Sequence, residues 1–292
     1  MTLFFRVFLF LTLLMTTSLN STTLIHNING YTPTASGSLH FEGLLIDDEG
    51  RVLQTLSQQA VDKLLLDKKK LNYIDGKGKY LLPGLIDAHA HILGYGNALS
   101  TVDLVGTQSA NEAAKRVLSY ANKNHDQLWV TGRGWNQVLW KGKQFPDTET
   151  LNKVVADKPV ALNRIDGHAM WVNSRALEMA GITKDTLDPE GGELLRDSEG
   201  NPTGILVDNA MTLVSRRIPS LSLQARHALI TKSMNTLIAE GITSVHDAGV
   251  APETIIAFKN LGSKDQLPVR VYAMLSTSED GYKELIDRKS VV

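Results

Sequence analysis

LLPGLIDAHAHILG, residues 81–94, places two histidines two positions apart at the end of a predicted buried strand. Side chains on a strand alternate faces, so His89 and His91 are expected to point the same way and offer two imidazole nitrogens to one ion. Pro83 and Gly84 open the strand, Leu85 and Ile86 fill it, and the histidines fall at its carboxyl end, where barrel enzymes place their chemistry. Asp87, two before His89, would share that face and orient or support the site without binding the ion. A bare His-x-His is more readily a structural pair on a half-buried strand, so its meaning depends on the rest of the chain.

At 292 residues and 42% hydrophobic content, the chain is long enough for one large domain or two ordinary ones and is not a disordered protein. Thirty Lys and Arg are interspersed among 31 Asp and Glu, a net charge of −1, which gives no footprint for nucleic acid or an anionic membrane. A small-molecule substrate fits better. With no cysteine, there is no disulfide and no thiolate ligand, so any metal must be held by nitrogen and oxygen. At the amino terminus Arg6 precedes the apolar run Val7 to Met15 and a small polar stretch, Thr16 to Thr23. This reads as a secretory signal over residues 1–21, because a bilayer span needs about 20 apolar residues. The expected location is therefore exported, periplasmic or secreted, with an uncleaved anchor as the alternative.

Residues 23–80 read as short strands and turns with no long helix: TLIHNI, LHFEGLLID, a turn at Asp48-Glu49-Gly50, then RVLQTL. Ser109 and Glu112 form a capping box before a helix whose apolar face is Ala113, Ala114, Val117, Leu118 and Ala121. LWVTGRG (128–134) and PVALNRI (159–165) read as buried strands, and Asn173 caps a short helix that Gly181 ends. Ser222 caps a longer helix closed by Gly241. The strand GITSVHDAG, a helix from Pro252 to Leu261 and a strand from Val269 to Leu275 follow, a βα repeat pattern.

LLPGLIDAHAH resembles the first barrel strand of the amidohydrolase superfamily of metal-dependent hydrolases. GRGWNQVLW (132–140), RIDGHAMWVNSRAL (164–177), GNPTGILVDNAM (200–211) and EGITSVHDAG (240–249) resemble, in order, blocks of amidohydrolase family 3, the group that includes N-substituted formamide deformylase. The resemblance implies an α/β fold: an incomplete TIM-type (β/α)8 barrel preceded by part of a small β-sandwich. The sandwich part would occupy residues 22–79 and the barrel would begin near Tyr80 and run to 286, with an insertion at about 103–220 that covers the active-site mouth. In the superfamily a lysine on strand four, histidines on strands five and six and an aspartate on strand eight complete the site; none can be assigned here, so the general base is expected outside this chain. The last six residues, DRKSVV (287–292), translate the sequencing-library adapter GATCGGAAGAGCGTCGTG, and natural sequence is expected to end near Ile286. A fragment holding only two imidazoles should bind metal weakly and be inactive alone.

Beyond His89 and His91, three residues are candidates for substrate contact. His168, in DGHAMW, joins a strand to a helix within the insertion. His246 sits where a second barrel strand reaches the mouth, with Asp247 beside it as a turn former. Trp135, with Trp140, could line a pocket for an apolar group, against a reading of simple packing. Asp208 is expected to start a helix, and His125 and His227 to be solvated. The resulting expectation is a metal-dependent hydrolase of non-peptide carbon–nitrogen bonds such as amides or formamides, with a divalent metal, zinc first, on His89 and His91. The alternatives are a catalytically inactive short form that acts as a binding protein, and a hydrolase of esters or phosphoesters.

Overall fold

A computed structural model describes residues 22–67, 70–277 and 283. The expected signal segment at 1–21 and the suspect tail at 287–292 both lie outside the described residues. The chain divides into two compact units, with the break between Gly84 and Leu85.

The first unit is a four-stranded sheet with one helix: β1 (Thr23–Thr34), β2 (Gly37–Ile46), β3 (Val52–Leu56), α1 (Gln58–Leu66) and β4 (Asn72–Leu81), in the order β3-β2-β1-β4. Strand β1 pairs antiparallel with β2 and parallel with β4. Leu24, Leu56 and Val61 form its core, so α1 is held through Val61. This nine-residue helix corrects the reading of 23–80 as strands and turns alone. Ser57 caps it by accepting from the Ala60 N–H, but no Glu or Gln follows at the third helical position, and its leucines cluster as they would on a strand. The boundary expected near Tyr80 falls later, because Tyr80 and Leu81 still pair with Asn29 and Gly30 of β1.

The second unit contains β5 (Leu85–Ala90), α2 (Ile92–Ala98), β6 (Val102–Asp103), α3 (Ala110–Lys123), β7 (Val130–Trp135), α4 (Thr148–Asn152), β8 (Val160–Arg164), β9 (Ala169–Val172), α5 (Ser174–Ala180), β10 (Gly192–Arg196), β11 (Pro202–Asp208), α6 (Thr212–Ser215), α7 (Leu223–Ala239), β12 (Ile242–Val250), α8 (Pro252–Gly262) and β13 (Arg270–Leu275). Six of its strands make a mixed sheet, β10-β11-β9-β8-β7-β6, parallel across β6-β7-β8 and antiparallel beyond. Its two faces carry separate cores. One packs α3 through Ala113, Ala114 and Val117 against Val130, Leu162 and three tryptophans. The other packs α5 and α6 through Ala176, Leu177 and Val214. Ser109 does cap α3 by accepting from the Glu112 N–H, and the Glu112 carboxylate reaches back to the Gln108 N–H. Asn173 and Gly181 bound α5 as expected, the glycine in the left-handed conformation that most side chains resist.

The remaining strands form an all-parallel sheet in the order β13-β12-β5. One face turns Val245 and Val271 toward Ile230 and Met234 of α7 and Phe258 and Leu261 of α8. The other face is open. Strand β5 is therefore not buried as expected: Leu85 and Ile86 are 62% and 63% exposed, since β5 lies at the sheet edge and nothing among the described residues covers its apolar side chains.

Candidate metal and substrate site

The histidine pair sits where β5 passes into α2. Val245 of β12 pairs with Asp87 and Asp247 with Ala90, so three residues of advance on β5 match two on β12. This is a β-bulge, and it reverses the alternation of faces. Asp87 aligns with Val245 on the helix-covered side, while His89 and His91 fall on the open side with His246. The expectation that Asp87 shares a face with His89 is corrected accordingly. Its carboxylate instead accepts the His89 N–H at 3.0 Å and so holds the bulge closed.

His89 and His91 are both exposed, with ring centroids 5.2 Å apart and planes nearly perpendicular. His91 Nδ1 lies 3.0 Å from the Ala248 carbonyl. A carbonyl oxygen only accepts, so the ring proton belongs on Nδ1 and Nε2 keeps its lone pair. That is the arrangement in which an outer hydrogen bond fixes a metal-ligating histidine. A pair of imidazole nitrogens suits a borderline divalent cation. Among the described residues no group of three His, Cys, Asp or Glu side chains stands together as a complete metal site.

Asp247 ties this corner together. Far from forming a turn, it lies within β12, 3% exposed, and its Oδ1 accepts the Ile92 N–H at 3.1 Å, the first helical N–H of α2. Burial pushes its carboxyl above the usual carboxylate range, against the pull of that N–H and of nearby His91. No sequence signal marked this link, because it joins positions 155 residues apart. His246 is half-buried on the next strand, its ring 5.2 Å from that of Tyr272, its register partner on β13.

His168 belongs to the six-stranded sheet, at the turn between β8 and β9, and its partner is Asp208 at the end of β11. His168 Nδ1 and Asp208 Oδ1 are 2.8 Å apart. The hydrogen bond and charge of Asp208 raise the His168 pKa above the ordinary imidazole value. Asp208 does not cap the following turn with its side chain, as expected of a helix-start aspartate, and its backbone holds φ 46° and ψ −120°. That combination belongs to glycine at the first central position of a type II′ turn and costs about 1–3 kcal/mol for other residues.

Trp135 is a correction. It is wholly buried among Trp140, Trp171 and Leu162, and its indole N–H is donated to the Leu162 carbonyl at 2.8 Å. Trp140 is likewise satisfied by the Thr107 carbonyl at 2.8 Å. Both belong to the core, where an aromatic body pays for burial by finding a partner for its polar edge. His125 is exposed, but His227 is not solvated: its Nε2 is buried on α7 with no hydrogen-bond partner among the described residues.

Residues 72–290 match the family model described as Amidohydrolase family. The chain is 32% identical to the protein LONG AFTER FAR-RED 3 of Arabidopsis thaliana, over 76% of this chain and 37% of the plant protein. It is 26% identical to N-substituted formamide deformylase of Arthrobacter pascens, over 74% of this chain and 42% of that enzyme. An uncharacterized metal-dependent hydrolase from Pyrococcus furiosus superposes with a TM-score of 0.65 at 26% identity, covering 87% of this chain and 50% of that one. The chain thus spans about half or less of the length of the proteins it matches. On the family match over residues 72–290, with the same fold in a metal-dependent hydrolase, the chain belongs to the amidohydrolase family.

Proposed function

We propose that the protein is a metal-dependent hydrolase of non-peptide carbon–nitrogen bonds, amides or formamides, in which His89 and His91 are two of the metal ligands. The observation that carries this reading is the His91 ring, locked by the Ala248 carbonyl with Nε2 left free beside His89. The parallel β5-β12-β13 sheet with α7 and α8 on one face is read as the opening strands of a (β/α)8 barrel. The first unit is read as part of a β-sandwich, 103–220 as an insertion over the mouth, and 1–21 as an export signal. The formamide deformylase relative supports the carbon–nitrogen bond, and zinc is the proposed ion.

Within such a site this chain's residues divide the work. His89 and His91 hold the ion through nitrogen. Asp87 fixes the bulge that turns His89 to the open face, and Asp247 anchors the first turn of α2 behind His91. His246 and His168 are proposed to contact substrate. The chemistry that a divalent ion supplies there is to lower the pKa of a water toward neutrality and to polarise the substrate carbonyl.

The test is to assay the complete gene product on N-formyl amines, carboxylic esters and phosphotriesters, beside a His89→Ala, His91→Ala double variant. Turnover of the N-formyl amines, lost together with bound metal in the variant, is expected. Phosphotriester or ester turnover without amidase activity would overturn the carbon–nitrogen assignment, and full activity with full metal content in the variant would make the histidines structural. A two-ligand site among the described residues favours one second reading for the chain on its own, a binding protein without catalysis; binding of N-formyl amines without turnover by this chain would support it.

A further inference from the structure

The turn that carries Asp208 is clamped into its glycine-like conformation from several sides. The Asp208 N–H donates to the His168 carbonyl at 3.0 Å and the Asn209 N–H to the Gly191 carbonyl at 3.2 Å. The Asn209 side-chain amide donates to the Glu190 carbonyl at 2.8 Å. Gly192 leaves the space that Ala210 occupies, since a Cβ there would stand 2.2 Å from the Ala210 nitrogen. What this clamp holds in place is one side-chain contact, Asp208 Oδ1 with His168 Nδ1.

That contact does not explain the strain as a stabilising device. The two side chains are 75% and 50% exposed, and water screens an ion pair so placed. Strain kept where it gains little stability points to a task. The His168 backbone is meanwhile hydrogen-bonded on both sides. Its N–H is taken by Asp166 at 3.1 Å, its carbonyl by Asp208, and Asp166 is itself paired with Arg164, which donates to Gln137 at 2.8 Å. The ring has Nδ1 committed to Asp208, while Nε2 makes no hydrogen bond among the described residues on a side chain that is largely exposed.

We propose that Asp208 is a positioning residue that holds the neutral His168 ring as its Nδ1–H tautomer, so that Nε2 of that form accepts a hydrogen bond from an amide or amine N–H of the substrate. The carboxylate beside Nδ1 increases the electron density of the ring and makes Nε2 a better acceptor than a lone imidazole would be. The substrate half of this inference rests on the carbon–nitrogen hydrolase reading above; the positioning half does not.

Three measurements test it. Long-range proton–nitrogen NMR of this chain, above the pH at which His168 titrates, should find the proton on Nδ1; a majority Nε2–H form would overturn the proposal. Asp208→Gly should melt at the same temperature or higher, because glycine relieves the strained conformation; a fall of more than about 2 °C would make Asp208 a stabilising residue instead. In the complete gene product acting on an N-formyl amine, Asp208→Gly and His168→Ala should each lower kcat/KM about tenfold, mainly through KM, and the double variant should fall no further. Asp208→Asn, whose oxygen still accepts from Nδ1, should recover part of the loss. Unchanged kcat/KM in Asp208→Gly would overturn the substrate half. If the complete product turns over no N-formyl amine, the hydrolase reading fails, while the NMR and melting results still decide the positioning role.

Discussion

Asp247 shows how one side chain can fix a corner that the sequence leaves open. Its carboxylate meets a buried helix N–H, so Asp247→Ala would leave the Ile92 N–H without a partner and cost about 1–3 kcal/mol in a denaturant titration. Asp247→Asn keeps the acceptor and buries no charge, and should match or exceed the parent in stability at pH 7. His168 makes a prediction in pH. Asp208 raises its pKa, with the Asp166 charge helping and Arg164 opposing. The folded state thus binds the proton more tightly than the unfolded one: the pair's contribution is full below about pH 6.5 and is lost as pH rises through the folded value. Because the pair is exposed, the effect on stability is small, and NMR titration of the ring is the sensitive measure; Asp208→Asn should bring the midpoint down. Of these residues, the sequence marked His89, His91, His168 and His246 by type and spacing. It could not place Asp247 or pair Asp208 with His168, because both links are made across strands distant in the chain.

Elements with local chemistry were legible. Ser109, Asn173 and Ser222 all cap the helices that their spacing implies, because a cap is set by the few residues around it. Asn173 does more than cap. Its carbonyl oxygen accepts from Ala176 and Val160, and its amide donates to the Val155 and Lys158 carbonyls, all from a fully buried position. Asn173→Ala should therefore destabilise the chain by about 2–4 kcal/mol, more than a surface cap, as a thermal or denaturant scan would register. Gly96 tests the contact between α2 and α7: a Cβ there would stand 2.2 Å from the Leu229 carbonyl, so Gly96→Ala must push the two helices apart and should lower the melting temperature although alanine is the better helix former. What the pattern could not show was the bulge in β5. A strict alternation puts Asp87 with His89, and only the pairing with β12 reveals the extra residue that separates them.

The whole second unit explains why the leading strand was read as buried. Its apolar residues, Leu85 and Ile86, are those of a covered strand, and so are Tyr272 and Met274 on β13, yet all are exposed among the described residues. Hydrophobic content reports what a surface is made to meet, while exposure reports what meets it here. This open apolar face should make the chain self-associate. Size-exclusion chromatography across a concentration series should show larger species growing with concentration, and Ile86→Lys with Tyr272→Lys should suppress them. A monomer at every concentration would mean that the face is protected in solution. The proposed metal ligands, His89 and His91, stand at the edge of this same face, where β5 passes into α2.

The most direct measurement is therefore a zinc titration of this chain followed by long-range proton–nitrogen NMR of its eight histidines. The account predicts that the His89 and His91 nitrogens shift together and first, with His91 responding at Nε2 while Nδ1 keeps its proton on the Ala248 carbonyl. Zinc shifting other histidines first, or leaving His89 and His91 unmoved, would contradict it.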